Sequence, residues 1–411
     1  MTDAPGITTD PRTGPVFTEE YFRDPYPVLA ALREHAPVRE VEMPEGGTTW
    51  LISRYADVRA AFADPRFAKD PRATMPPEQR PAEPLIPAPA GHMLLLNDPP
   101  VHTRLRKLVV QAFTVRRIAA LRPRIEQVAA TLLDRLPVDE PVDLVSEYAV
   151  PLPMAVICEL LGVPAVDRDA FAQWSNTMID ESPEAEKHQA SASLAAYLAE
   201  LVEAKRAEPD DALLSGLIAA SDEDDRLSGD EIVAMGMLLL IAGHETTANL
   251  VANSVYALLR DTDLRDRLAA QRAAGESLSP AVEEFLRWGS PVSNAPLRFA
   301  SEDIEVAGTV IPAGSTVTLS LAAANRDPDR FDGPELYDPD RDTGGHLAFG
   351  HGIHFCLGAS LARTEGEIAL GTLLERFPRL EAAVPMSEIV HRQSVLIHAL
   401  RALPVRLDPS A

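Results

Sequence analysis

A chain of 411 residues carries 62 acidic and 38 basic side chains, a formal charge of −24, with 46% hydrophobic residues. That balance supports a large core and excludes a general binder of nucleic acid or of anionic membranes. Two cysteines, Cys158 and Cys356, exclude a disulfide framework and suit a reducing cytoplasm, and no signal-like or membrane-length apolar segment is evident.

Residues 1–15, rich in Thr, Pro, Gly and Asp, read as a disordered leader, and residues 16–411 as one domain. Residues 39–53 hold two short β-like runs around Pro44-Glu45-Gly46-Gly47, the pattern of a hairpin. Across residues 71–100 proline recurs so densely that no long helix survives. Loops of that length in compact domains are usually functional, which makes this one a lid candidate. Helical patterns dominate residues 102–268. A β-rich patch follows: residues 304–306, a turn at Ala307-Gly308, residues 310–311, Pro312-Ala313-Gly314 and residues 316–321. Helix returns after Cys356 and the chain ends in a β-like segment. The fold class is mostly α with a small β region.

Within the helical part, Ser228-Gly229-Asp230-Glu231 is a capping box. Residues 232–241 are apolar on nearly every face, so the helix they begin should cross the core. It then turns small and polar: Ala242-Gly243-His244-Glu245-Thr246-Thr247. A glycine, a carboxylate and two hydroxyls inside a buried helix cost stability unless something uses them. Gly243 lets a ligand approach the backbone, Thr246 offers a hydroxyl to a ligand or to its own helix, and Glu245 can carry protons inward. The plainer alternative is a helix that turns a polar face to solvent.

Phe349-Gly350-His351-Gly352-Ile353-His354-Phe355-Cys356-Leu357-Gly358 leads into a helix-like run over residues 359–377. Its glycines permit a tight loop. Cys356 stands just before a helix N-terminus, where the dipole and free N–H groups favour an anionic sulfur. Such a thiolate is a strong iron ligand that pushes electron density onto the metal. A lone cysteine can also be a small buried hydrophobe, which suits Cys158 beside Met154-Ala155-Val156-Ile157. A zinc site of His351, His354 and Cys356 has no fourth ligand at the usual spacing.

Phe349, Gly352, Cys356 and Gly358 match the cysteine-loop motif of the cytochrome P-450 family, which the chain resembles. The run Ala242 to Thr247 is similar to that family's oxygen-activation signature, and Glu284-Phe285-Leu286-Arg287 to its Glu-x-x-Arg motif. Tyr337-Asp338-Pro339-Asp340-Arg341 resembles the segment supplying a second arginine to that pair, and His102-Thr103-Arg104-Leu105-Arg106 the His-x-x-x-Arg segment of bacterial members. Five motifs in family order span the chain from the hairpin to the C-terminal strands.

The resemblance implies a single triangular-prism domain with haem b between the central helix and the cysteine-loop helix. Cys356 is then the iron ligand, and Ala242, Phe349, Gly350 and Gly358 are cofactor neighbours. His102, Arg106, Arg298 and His354 are implied propionate partners, charge-assisted bonds suiting that task. Gly243, Glu245 and Thr246 are the implied oxygen- and proton-handling residues. Glu284 and Arg287, on one helix face behind the cap and first-turn pair Ser279-Pro280, would form a buried brace with Arg341 rather than a weak exposed pair. Implied substrate-lining residues are Leu94, Leu95, Met178, Met237, Val292, Ala295 and Leu396. Their aliphatic character suits a sizeable apolar molecule: a polyketide or macrolide, a terpenoid or a steroid. Asp180, Glu181, Glu184 and Glu186 either attract a cationic substituent or form a solvated loop.

By the same resemblance, one oxygen atom from O2 enters the substrate by hydroxylation or epoxidation, in a monomeric enzyme. Electrons come from NAD(P)H through ferredoxin reductase and a ferredoxin, because no flavin or nicotinamide domain fits in this chain. A peroxide-driven peroxygenase is a rival that the intact Glu245-Thr246 pair opposes. A non-catalytic haem sensor or electron carrier is another, opposed by the relay residues and the proline-rich lid. Residues 101–125 carry Arg104, Arg106, Lys107, Arg116, Arg117, Arg122 and Arg124 and no acid. That stretch is either a docking patch for an acidic ferredoxin or a solvated helix face.

Overall fold

A computed structural model describes residues 10, 12–113, 115–179, 182–221 and 227–408. Its axis is the helix Gly229–Arg260, 32 residues long. The capping box forms as the sequence predicts: Glu231 N–H donates to Ser228 Oγ (3.1 Å) and Ser228 N–H to Glu231 Oε2 (2.8 Å). With an apolar surface all round, this helix needs cover on every side. Pro151–Leu161, Glu184–Ala207, Ser279–Gly289 and Ala359–Arg376 all pack against it. Ala359–Arg376 also packs on Val115–Asp134, and the Tyr148 hydroxyl donates to Ala369 O across 2.9 Å of core.

The β region lies to one side. Val38–Glu42 and Thr48–Ile52 form the expected hairpin, in register from Val38↔Ile52 to Glu42↔Thr48. Thr48–Ile52 continues parallel to Thr316–Leu319, which pairs antiparallel with Arg298–Ala300, and that strand with Phe67–Ala68. The result is one five-stranded sheet. Ile304–Val306 and Thr309–Ile311 form a separate hairpin, turning at Ala307 (φ 50°) and Gly308 (φ 79°). Two successive positive φ values match the right-handed twist of the flanking strands. Pro404–Arg406 pairs with Val142–Asp143 and Glu381–Ala382, closing the C-terminal end.

Local chemistry departs from expectation at a few points. The strand expected to reach residue 321 stops at Leu319, because Ser320 Oγ accepts from Ala323 N–H (3.3 Å) and caps the short helix Leu321–Ala324. Ser279 is the first helical residue rather than the cap; its N–H is taken by Ser277 Oγ at 3.1 Å, and Pro280 sits in the first turn. The proline-rich stretch holds only single-turn helices: Pro71–Thr74, Pro77–Gln79, Ala90–His92 and Leu94–Leu96. Of the leader, residues 1–9 and 11 lie outside the described residues, and Thr13 and Gly14 donate backbone N–H groups to Asp10 O. Among the described residues, no helix is long and apolar enough to cross a membrane.

Candidate functional site

The cysteine segment is a loop before it is a site. Gly350 N–H donates to Leu347 O (2.8 Å), Phe355 N–H to Gly352 O (3.1 Å) and Cys356 N–H to Phe349 O (3.0 Å). Gly350 and Gly352 have φ of 70° and 73°, and a Cβ on Gly352 would stand 2.8 Å from Phe62 O. Both glycines therefore let the loop lie against Tyr55–Ala63. At Gly350 a Cβ would meet the Phe62 ring at 3.5 Å, an ordinary contact, so it is the positive φ that favours glycine there. Gly358 is the N-cap of Ala359–Arg376, and a Cβ on it would lie 3.9 Å from Cys356 Sγ. Burial pushes the Cys356 thiol up, while the Gly358 N–H, Arg106 and Arg363 pull it down. Burial outweighs these pulls and leaves the thiol above its ordinary value.

Beside this loop the fold gathers basic side chains. The His102 and His354 rings lie 4.3 Å apart, and Arg106 Nη2 donates to Phe355 O at 2.7 Å. Arg298 is buried over the Phe62 ring and donates to Phe67 O (2.9 Å). Lys69, which the sequence reading missed, is buried too, its Nζ donating to Pro296 O (2.9 Å) and Leu297 O (2.7 Å). Burial, then His102, Arg298, Lys69 and Arg106, pushes His354 down to about 2. Burial and Arg298 lower Lys69 to about 7 against the opposing charge of Asp98, and burial lowers Arg298 to about 10. Asp98 already accepts from the backbone N–H groups of Lys69 and Asp70. Three buried nitrogens here have no hydrogen-bond partner among the described residues: His102 Nε2, His354 Nε2 and Arg298 Nε. An uncompensated buried guanidinium costs several kcal/mol and each unsatisfied imidazole nitrogen adds to it, so such a cluster suits a ligand bearing more than one carboxylate. The two propionates of haem fit it.

The central helix is breached at its polar middle. Ala242 is exposed, and Leu238, Ile241, Gly243 and Thr246 are half-buried, within a helix otherwise covered on nearly all sides. An accessible stripe of small and apolar groups thus runs through the core. Thr246 Oγ1 donates to Ala242 O at 2.8 Å, bonding its own helix. A Cβ on Gly243 would meet Ile157 Cδ1 at 3.3 Å, so its missing side chain lets Pro151–Leu161 pack close. Glu245 is buried with its Oε1 accepting from Arg392 Nη1 at 2.8 Å. Glu365, also unforeseen, is 1% exposed on Ala359–Arg376; burial raises it to about 8 against a hydrogen bond from Thr247, and its Oε2 has no hydrogen-bond partner among the described residues.

The expected lining residues divide. Leu396 is exposed, and Leu95, Met178 and Val292 are half-buried. Leu94 and Ala295 are nearly covered, and Met237 (1% exposed) packs inside the core. On the accessible stripe Leu238 takes the place expected of Met237, one residue of helical rotation being about 100°. Asp180 and Glu181 lie outside the described residues. Glu184 and Glu186 are exposed in the first turn of Glu184–Ala207, where the helix dipole favours acids, so they fit the solvated reading.

Two clamps hold the loop from behind. Glu284 and Arg287 are fully buried and doubly bonded (2.6 and 2.7 Å); Arg287 also donates to Asn325 O, Pro334 O and Leu336 O. Arg341 Nε reaches Glu284 Oε1 at 3.2 Å, completing the expected brace. A second clamp was not foreseen: Glu283 takes His346 Nε2 at 2.9 Å and Arg363 Nη2 at 3.0 Å, with Arg363 4.5 Å over the Phe349 ring. Against the upward push of burial, these two partners hold Glu283 at about 2.

The basic stretch is largely matched from afar. Arg104 pairs with Glu231, Arg122 with Glu126 and Glu367, and Arg124 with Glu159, while Arg117 donates to Asp211 O. The Arg116 side chain lies outside what is described. Glu231, Glu159 and Glu367, remote in sequence, together with nearby Glu126, supply counter-charge to Arg104, Arg124 and Arg122.

The family model described as cytochrome P-450 matches residues 154–403, more than half of the chain. The Vitamin D(3) 25-hydroxylase of Pseudonocardia autotrophica is 53% identical over 98% of both chains. The 6-deoxyerythronolide B hydroxylase of Saccharopolyspora erythraea is 42% identical over 99% of this chain and 100% of its own. The ligand-free monooxygenase TamI superposes with a TM-score of 0.87 at 44% identity, covering 97% of this chain and 95% of that one. The chain belongs to the cytochrome P-450 family, the haem-thiolate monooxygenases that use haem b and dioxygen.

Proposed function

We propose that residues 16–411 form one catalytic domain in which Cys356 ligates the haem iron and His102, Arg106, Arg298, His354 and Lys69 hold the propionates. The observation that carries this reading is the buried cluster of basic side chains, with three nitrogens unpartnered among the described residues, beside the exposed Cys356. When bound, the haem supplies dioxygen activation and insertion of one oxygen atom into the substrate. The chain's own residues bind, orient and handle protons. Thr246 holds a proton on Oγ1, now engaged with Ala242 O, and can turn it toward the stripe. Glu245 is the acid that resupplies it.

The substrate is a sizeable apolar molecule of polyketide, macrolide, terpenoid or steroid type. The accessible apolar groups, Leu238, Ile241, Ala242, Leu297 and Leu396, support that class. So do two relatives named for vitamin D(3) and for 6-deoxyerythronolide B. Electrons arrive from a ferredoxin and its reductase, in the reducing cytoplasm that two unpaired cysteines suit. The docking face we favour bears exposed Ile353, Phe355 and Lys107, next to Arg106.

The reading is tested by supplying the haem-loaded protein with ferredoxin, reductase, NADPH and isotopically heavy dioxygen, and screening macrolide and steroid substrates. One heavy oxygen atom should enter the product, and only when the redox partners are present. Equal product from hydrogen peroxide alone would contradict the monooxygenase assignment.

A further inference from the structure

Glu283, beside the bracing Glu284 on Ser279–Gly289, takes one partner from each flank of the cysteine loop. His346 Nε2, from before Cys356, donates to its carboxylate at 2.9 Å, and Arg363 Nη2, from after Cys356, donates at 3.0 Å. The Arg363 guanidinium lies 4.5 Å from the centre of the Phe349 ring, and Phe349 O accepts the Cys356 N–H at 3.0 Å. His346 and Phe355 pack on the same ring, at 5.9 and 6.3 Å between centroids. The acid thus reaches the cysteine through side chains that all meet at Phe349.

The hydrogen bonds also fix the charge of this group. Ala348 N–H donates to His346 Nδ1 at 3.2 Å, so that nitrogen is an acceptor and carries no proton. Nε2 then holds the ring's proton and donates it to Glu283, as a neutral imidazole does. Burial favours a protonated Glu283, but His346 and Arg363 hold it down at about 2, so it is ionised at any working pH. One anion, one cation and one neutral ring make up the group, and the anion is matched to Arg363. Arg363, like Arg106, favours the anionic form of Cys356 against the effect of burial. The pair keeps only part of its surface in water, 24% for Glu283 and 35% for Arg363, so solvent screens it less than an open surface pair. An unbalanced guanidinium there would draw electron density off the sulfur and favour the added electron of a reduced iron bound to it.

We propose that Glu283 is a positioning residue that holds Arg363 over Phe349 and balances its charge beside Cys356, so that the sulfur keeps its electron density for the iron and the reduction potential of the haem is held down. The proposal rests on the reading of Cys356 as the iron ligand. It adds to that reading a counter-charge supplied by a different helix.

The test is a dye-equilibrated reductive titration of the haem-loaded protein without substrate, followed by its visible spectrum. Glu283→Gln should shift the reduction equilibrium about threefold or more toward the reduced form, about 28 mV for one electron. Arg363→Met should shift it about as far the other way, because it leaves an unmatched acid. Glu283→Gln combined with Arg363→Met should return within about twofold of the parent. Glu283→Asp and Arg363→Lys disturb the packing but keep the charges, and each should stay within about twofold. A purely structural role would move both neutral variants in one direction and would not spare the charge-conserving ones. Neutral variants that shift together, charge-conserving variants that shift like the neutral ones, a double variant that does not return, or no shift at all would overturn the proposal. If Glu283→Gln retains no haem, Arg363→Met against Arg363→Lys decides by the same criteria. A parent whose reduced, carbon-monoxide-treated spectrum lacks the thiolate band would overturn instead the reading of Cys356 beneath it.

Discussion

Glu365 shows how a single buried side chain can leave a signature in the whole protein's stability. It comes from the helix that follows the cysteine loop, and burial raises it from 4.5 to about 8 against the one hydrogen bond from Thr247. A carboxyl raised in this way binds its proton more tightly folded than unfolded. Stability therefore falls as pH rises from about 4.5 to about 8 and levels off above. Glu365→Gln removes that titration. Denaturant midpoints of the haem-loaded variant should gain on those of the parent between about pH 5 and pH 8, a constant gap showing that Glu365 is not the source. Neither Glu365 nor Lys69 stood out in the sequence. A glutamate within a helix, or a lysine after a short strand, becomes informative only when distant segments close over it and withdraw solvent.

At the scale of elements, the loop is only as rigid as the clamps behind it. Arg287 makes five hydrogen bonds, two to Glu284 and three to backbone carbonyls between Asn325 and Leu336. A planar fork can satisfy that set, and an ammonium cannot. Arg287→Ala would leave Glu284 buried with only Arg341 and the Asp338 N–H as partners, a loss of about 3–5 kcal/mol. Arg287→Lys should recover only part of it. Thermal unfolding and retained haem after purification measure both; wild-type stability in Arg287→Ala would refute the brace. The Glu284–Arg287 part of this clamp was legible because i, i+3 spacing is local. The clamp of Glu283, His346 and Arg363 was not, since its members are separated by 63 and 80 residues and each alone looks like surface charge.

For the whole molecule, the same division explains what the sequence revealed. The hairpin, the capping box, the helix-breaking prolines and the core-crossing helix rest on periodicity and turn chemistry, and all appear where expected. Charge did not transfer in the same way. The acid-free stretch of residues 101–125 looked continuous, yet Glu231, Glu159 and Glu367 answer much of it from elsewhere. Gly243 was read as letting a ligand approach the backbone, and the structure also sets Ile157 close against it, while the tight loop expected around Gly350 lies against Phe62. The global arrangement survives these changes. A cysteine loop seated on Tyr55–Ala63, backed by two clamps and flanked by buried basic side chains, accompanies a central helix opened at Ala242. The account therefore turns on the sulfur of Cys356. Its most direct test is the visible spectrum of the reduced, carbon-monoxide-treated protein, compared with Cys356→Ser. The parent should show the red-shifted Soret band of a thiolate-ligated haem, and Cys356→Ser should lack it even where haem is retained. Persistence of that band without the Cys356 sulfur would contradict the account.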